Sequence, residues 1–269
     1  SIVRDIELLG LNEKKYSKEE LNSGEYSNLT EKANKAEKEY RKIKSTQDKQ
    51  KNISDINKYL NMRLDAYTKA PTCDLARLIG NTYVELSEQQ VVNESIYSDC
   101  KAIKYYIECC HMSEPDEKRD MFYEIGVRFN RIAEIANQIC AQENSDEYKS
   151  LYIDSLYMSS AYYKLFQSSV IEDFKSSFYL ARNYKFLGES MSGVNKIMYF
   201  ERALDILYTL SNYPNLKEES IISIYNTIYN ILVEYRAVPI ECWNKYNSTT
   251  IETNIMEMDS LKKQIKNND

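Results

Sequence analysis

Glycine, proline and histidine are scarce in this chain. Its 269 residues include 6 glycines, 4 prolines and a single histidine. Glycine and proline together make up about 4% of the residues, against roughly 12% in ordinary proteins. Folds built on β-hairpins or on doubly wound parallel sheets need more turn glycine than this, so the composition disfavours both classes. One histidine excludes any metal or catalytic site that requires two.

Long apolar runs and a basic charge bias are also missing. No apolar run approaches 18 residues and the mean hydropathy is −0.59, so no membrane span and no membrane partner are predicted. The formal net charge of −6 argues against nucleic acid as a partner. Residues 1–6 lack the basic-then-apolar order of a secretion signal. The six cysteines show no CxxC spacing, which predicts a reduced, cytoplasmic protein.

What the chain does contain is helical periodicity. Apolar side chains recur at spacings of three and four, which predicts an all-α bundle of nine antiparallel helices joined by short loops. Residues 113–116 and 169–172 match the capping box that opens a helix. The predicted domains are an N-terminal extension (1–27), a helical domain (28–236) and a polar tail (237–269) with a further helix around 251–266. The predicted helices cover 28–47, 53–69, 72–90, 93–112, 115–142, 145–167, 169–188, 193–212 and 214–236.

No residue constellation for catalysis is present. The sequence has no glycine-rich phosphate loop, no GxSxG motif and no aspartate pair spaced for a metal-bound diphosphate. His111 follows Cys109 and Cys110, but neighbouring residues of a helix point about 100° apart, which favours a structural role over a thiolate–imidazole pair. The chain is therefore predicted to be a non-enzyme that requires no cofactor and no metal.

Two segments resemble the second helix of a tetratricopeptide unit. They are residues 101–109 (Lys-Ala-Ile-Lys-Tyr-Tyr-Ile-Glu-Cys) and 196–203 (Lys-Ile-Met-Tyr-Phe-Glu-Arg-Ala). The helices are too long to keep the 34-residue period of that repeat. One interpretation is therefore a tetratricopeptide-like scaffold that binds unphosphorylated peptides.

Five further segments, in chain order, resemble the 14-3-3 family. Residues 29–37 (Leu-Thr-Glu-Lys-Ala-Asn-Lys-Ala-Glu) are similar to its opening helix, and residues 126–136 (Gly-Val-Arg-Phe-Asn-Arg-Ile-Ala-Glu-Ile-Ala) to its fifth. Residues 179–184 (Tyr-Leu-Ala-Arg-Asn-Tyr) resemble the seventh helix, and 207–210 (Leu-Tyr-Thr-Leu) the end of the eighth. The interval from Glu219-Ser220 to Asn230 fits the ninth helix. The resemblance covers residues 28–236.

The resemblance implies a nine-helix bundle that dimerises through helices one to four. It also implies an adaptor in signal transduction, with an amphipathic groove lined by helices three, five, seven and nine. In the family, a basic cluster holds the phosphate of a phosphoserine or phosphothreonine peptide, and two asparagines hold the peptide backbone. Several charge-assisted hydrogen bonds on one dianion, with guanidinium groups supplying the geometry, suit that task.

The family's functional positions carry over to this sequence in part. Asn183 and Asn230 match the two asparagines. Residues 66–69 (Ala-Tyr-Thr-Lys) and Ala76-Arg77 resemble the third-helix segment, which makes Lys69 and Arg77 candidates for its lysine and arginine. Ile222 and Asn226 occupy positions where the family has groove leucines, and Glu234 replaces its tryptophan.

On the fifth helix the family's Arg-Tyr pair falls on Asn130 and Arg131. Losing one charge-assisted contact costs on the order of 1.5–3 kcal/mol, which predicts phosphopeptide affinity weaker by roughly ten- to a hundredfold unless Arg131 or Arg128 supplies it. The expected function is thus an adaptor for phosphorylated client proteins. The protein is also expected to form a homodimer. A scaffold for unphosphorylated peptides and an unrecognised helical enzyme are the alternatives.

Overall fold

Helices account for nearly all of the structure. The computed structural model describes residues 24–169 and 173–267, and these contain α-helices and one 3-10 turn (Ile240–Cys242) but no strand, which confirms the all-α class. The helices are α1 (Gly24–Ile43), α2 (Lys49–Lys69), α3 (Cys73–Gln89), α4 (Val92–Met112), α5 (Pro115–Glu143), α6 (Asp146–Ser169), α7 (Phe174–Glu189), α8 (Gly193–Ser211), α9 (Glu218–Ala237) and α10 (Ser248–Asn267).

The chain divides into two compact units, the first ending at Met158 and the second beginning at Ser159. In the first unit α1 packs on α2, α2 on α3, α3 on α4 and α4 on α5. In the second unit α7 packs on α8, α8 on α9 and α9 on α10. Helices that are joined by short loops and packed side by side run antiparallel, so each unit is built from helical hairpins.

The predicted count of nine helices is not confirmed, because the described residues hold ten. Helices α1 to α9 follow the predicted order, with ends that differ by up to five residues. The further helix expected around 251–266 is α10, which buries Ile251, Ile255 and Met258 and packs against α9. The predicted domain limits at 27 and 236 stay a prediction, and residues 1–23 of the N-terminal extension lie outside the described residues. No described helix has the length and apolarity needed to cross a bilayer.

The capping box predicted at residues 113–116 is wrong in its chemistry. Helix α5 does begin at Pro115, but its N-cap is Glu114, whose side chain makes no capping bond. The Ser113 hydroxyl instead donates to the Cys109 carbonyl at 2.6 Å, which satisfies the end of α4. The second predicted box, at 169–172, reaches outside the described residues, and α7 is capped by Asp173, whose carboxylate accepts from Ser176 N at 2.8 Å.

One buried cation joins three helices of the first unit. Arg63 of α2 is only 1% exposed. Its guanidinium donates to Thr82 Oγ1 of α3 at 2.8 Å and to Asn34 Oδ1 of α1 at 3.1 Å. It also pairs with Glu37 of α1 at 2.5 Å. Burial opposes the charge of Glu37, but hydrogen bonds from Arg63 and Arg41 outweigh that effect and hold the pKa of Glu37 below its usual value.

Close packing of α7 on α8 depends on a glycine in the second unit. A Cβ at Gly188 would lie 2.6 Å from Cδ1 of Phe200, which is fully buried. Because only glycine leaves that space, the two helices approach closely at this point. Helix α7 buries Leu180 and Leu187, helix α8 buries Ile197 and Leu204, and the rings of Tyr184 and Tyr199 lie 6.0 Å apart between the two helices.

We expect Arg63→Ala to destabilise the protein strongly, because the substitution leaves Glu37 without its buried partner. Loss of one member of such a pair costs about 3–5 kcal/mol. Arg41→Ala is the matched control, since Arg41 pairs with the same carboxylate but its side chain is 62% exposed, and its loss should cost under about 1 kcal/mol. Urea unfolding measures both free energies. Similar losses for the two variants would contradict the prediction.

Candidate functional site

A surface cavity of about 340 Å³ lies between α7 and α9 of the second unit. Helix α7 contributes residues one helical turn apart, so that they share a face, and α9 contributes residues of its first two turns. The cavity thus has an aromatic and cationic wall opposite a wall of hydroxyl groups and one carboxylate. Its lining residues are Phe174, Lys175, Phe178, Tyr179, Arg182, Glu219, Ser220 and Ser223.

Arg182 is the distinctive cation of this cavity. The residue is exposed, and its guanidinium lies 5.6 Å from the ring centroid of Tyr179 and 5.7 Å from that of Phe186. Within residues 24–169 and 173–267, neither Arg182 nor Lys175 forms an ion pair with a carboxylate. Aromatic faces orient the guanidinium without neutralising it, so its charge is available to an anion.

The first turn of α9 adds to the anion-binding character of the cavity. The first hydrogen bond of this helix runs from Ile221 N to Lys217 O at 3.1 Å. Lys217, the N-cap residue, makes no capping bond through its side chain. The positive end of the helix dipole therefore lies beside Ser220, while Glu219 contributes one opposing charge. Cations, a helix N-terminus and hydroxyl donors together suit a phosphate-like anion.

The two asparagines implied by the resemblance are placed differently. Asn230 is exposed and lies seven residues after Ser223, on the same face of α9 as the cavity wall. Asn183 is 2% exposed, and its Nδ2 donates to Ser159 Oγ of α6 at 3.0 Å. The structure thus places Asn230 in line with the cavity, whereas Asn183 is committed to a buried hydrogen bond.

The cations predicted in the first unit are neutralised locally. Lys69 pairs with Glu25 at 2.8 Å, Arg77 with Asp74 at 3.1 Å, and Arg131 with Glu134 at 3.7 Å. The partners of Arg77 and Arg131 lie one turn away on the same helix. Such exposed pairs contribute under about 1 kcal/mol each, so a phosphate that approached could displace their carboxylates.

Arg128 has a different environment, although it lies on the same helix as Arg131. Its side chain is 15% exposed, and its Nη1 lies 3.5 Å from Oδ1 of Asp99, which is completely buried in α4. Burial raises the pKa of Asp99 to about 6, and Arg128 opposes that rise. Asn130, at the position of the family's arginine, is half-buried. Arg128 therefore serves a buried carboxylate of α4.

Two site residues, Lys175 and Arg182, were missed by reasoning from the sequence. Their signal was available, because Lys175, Phe178, Tyr179 and Arg182 follow one another at helical spacing. A helical wheel of α7 would have shown basic and aromatic side chains on one face. The helical pattern of α7 does not show which residues lie opposite this face. The structure shows that α9 supplies them.

We expect Asp99→Asn to change how stability depends on pH. An aspartate whose pKa is higher in the folded state than its ordinary value of about 3.8 disfavours folding as the pH rises through the interval from about 4 to 6. Relative to the original protein, Asp99→Asn should therefore gain about 2–3 kcal/mol in unfolding free energy between pH 4 and pH 7. Urea unfolding at four pH values measures this, with the exposed Asp74→Asn as control. Parallel pH profiles for Asp99→Asn and the original protein would contradict the prediction.

Comparisons with known proteins identify no family for this chain. No family model and no curated protein matches the chain. Among solved structures, the chain is similar to BtubC (BKLC) from P. vanneervenii, with 13% sequence identity and a TM-score of 0.32. That match covers 81% of this chain and 91% of the other. A likeness this weak supports no conclusion on fold or function.

Proposed function

We propose that the protein is an adaptor that binds phosphoserine or phosphothreonine peptides and thereby regulates client proteins. The observation that carries this proposal is the cavity between α7 and α9, where Arg182 and Lys175 face the first turn of α9 without a carboxylate partner among the described residues. The order of helices α1 to α9 and the resemblance to 14-3-3 proteins support it. The adaptor would act in the cytoplasm, without catalysis, cofactor or nucleic acid.

The chemistry of the cavity favours a phosphorylated over an unphosphorylated peptide. A dianion gains charge-assisted hydrogen bonds from guanidinium and ammonium groups and from the Ser220 and Ser223 hydroxyls. The aromatic rings of Phe174 and Phe178, which are stacked at 6.3 Å, offer an apolar surface for the flanking side chains of the peptide. Asn230, further along the same face of α9, is placed to bond the backbone of an extended peptide.

We expect an Arg-x-x-pSer-x-Pro peptide to bind more tightly than its unphosphorylated twin. Arg182→Gln should weaken phosphopeptide binding by roughly ten- to a hundredfold, because one charge-assisted contact is lost. Fluorescence polarisation measures both affinities. Arg236→Gln is the matched control, since Arg236 is an exposed arginine of α9 that is paired with Glu252.

Variants of the first unit test the cations that the resemblance implies. Arg77→Gln and Arg131→Gln remove exposed side chains and should leave the melting temperature unchanged. A loss of affinity in these variants would assign part of the phosphate contact to them. Asn183 is unsuitable for this test, because Asn183→Asp would bury a charge beside Ser159. Equal affinity for the phosphorylated and unphosphorylated peptides would overturn the proposal in favour of the scaffold for unphosphorylated peptides.

The proposed adaptor is a homodimer. Apolar side chains are exposed where α3 passes into α4, and a second copy of the chain would bury them. Val91 is 71% exposed and Tyr97 61% exposed. The first unit also contains the α1–α4 segment through which the resemblance implies dimerisation.

Light scattering should therefore give a mass of about 63 kDa, twice the 31.6 kDa of the chain. Val91→Lys together with Tyr97→Lys should shift the species towards the monomer, because two charges would face the apolar contact. The exposed pair Val194→Lys and Met256→Lys of the second unit is the control. A mass of 31.6 kDa for the original protein at micromolar concentration would contradict the dimer.

A further inference from the structure

Two cysteines meet where α3 begins and α4 ends. Cys73 is the first residue of α3, and Cys109 lies in the last turn of α4. Their sulfur atoms are 2.7 Å apart, less than 1 Å longer than a disulfide bond of about 2.05 Å. The Ser113 hydroxyl lies 2.9 Å from Cys73 Sγ, so that this hydroxyl and the two thiol groups are in contact with one another.

The backbone on both sides of this contact is fixed. Thr72 caps α3 by accepting from Leu75 N at 3.2 Å, and the Ser113 hydroxyl holds the Cys109 carbonyl at the end of α4. Tyr67, at the end of α2, donates to the Glu108 carboxylate of α4 at 2.5 Å. Because these bonds set the positions of both cysteines, joining the sulfur atoms requires little more than side-chain rotation.

The two thiols differ in access. Cys73 is partly exposed, whereas Cys109 is 1% exposed, and burial raises the pKa of the Cys109 thiol. A small oxidant from solvent therefore reaches Cys73 first, and Cys109 follows as the resolving thiol. Cys110 is the neighbour of Cys109 in sequence, and it is also buried.

We propose that Cys73 and Cys109 are an oxidative modification site at which hydrogen peroxide forms an intramolecular disulfide between the start of α3 and the end of α4. The Cys73 thiolate attacks one peroxide oxygen, the O–O bond breaks, and hydroxide leaves and takes up a proton to give water. Cys109 Sγ then attacks Cys73 Sγ of the resulting sulfenic acid. The S–O bond breaks, and the hydroxide leaves as water with the Cys109 proton. Two thiols are oxidised and one peroxide is reduced to two waters.

Mass spectrometry of the full chain tests this site. Peroxide treatment should lower the intact mass by about 2 Da, and a reductant should restore it. Trypsin digestion without reduction should yield residues 70–77 linked to residues 105–118, the latter containing both Cys109 and Cys110. Fragmentation of that linked pair should place the bond on Cys109. The linked protein should melt at a higher temperature than the reduced one, because the crosslink restricts the unfolded chain.

Single substitutions provide the controls. Cys73→Ser and Cys109→Ser should each abolish the linked peptide, whereas Cys110→Ser and Cys140→Ser should retain it. Circular dichroism of each variant establishes that it is folded, and the fragmentation experiment on the original protein needs no variant. Absence of the linked peptide after peroxide treatment, a bond placed on Cys110, or a lower melting temperature of the linked protein would overturn the proposal.

Discussion

A buried charge must be paired, and this requirement determines how α1, α2 and α3 meet in the first unit. Arg63 is fully enclosed, and a guanidinium in that position is tolerated only where carboxylate and neutral acceptors surround it. Glu37 and Asn34 of α1 and Thr82 of α3 supply them. The register of both neighbouring helices against α2 is therefore constrained by polar contacts as well as by apolar packing.

The pairing of charges also determines which cations of the molecule are available to a ligand. Arg77 and Arg131 pair with exposed carboxylates that solvent or an incoming anion can replace at little cost. Arg182 is held by aromatic rings alone and forms no ion pair within the described residues. The difference follows from neighbours on the same helix. An acidic residue lies one turn from Arg77 and from Arg131, whereas the residues one turn from Arg182 include aromatic ones and no carboxylate.

Periodicity was sufficient to predict the helices and their order, because each helix buries one stripe of apolar side chains. It did not predict the chemistry at their ends. Ser113 illustrates the reason: its hydroxyl can cap α5 or satisfy the last turn of α4, and only the tertiary structure decides between two local bonds of similar strength. Asn183 was assigned to its helix correctly, but its contact with Ser159 depends on how α7 packs against α6.

Arg128 shows how pairing and burial together decide the role of a residue. The sequence places it two residues before the half-buried Asn130, on the helix where the resemblance expects an arginine of the phosphate cluster. Withdrawing it from Asp99 would leave a completely enclosed carboxylate without a counter-ion, which costs far more than one surface ion pair. The contact between a phosphate ligand and Arg128 would have to be more favourable than this loss for the ligand to gain affinity from Arg128. The exposed Arg131, on the same helix, carries no such penalty, and it is therefore the cation of α5 that a ligand would recruit.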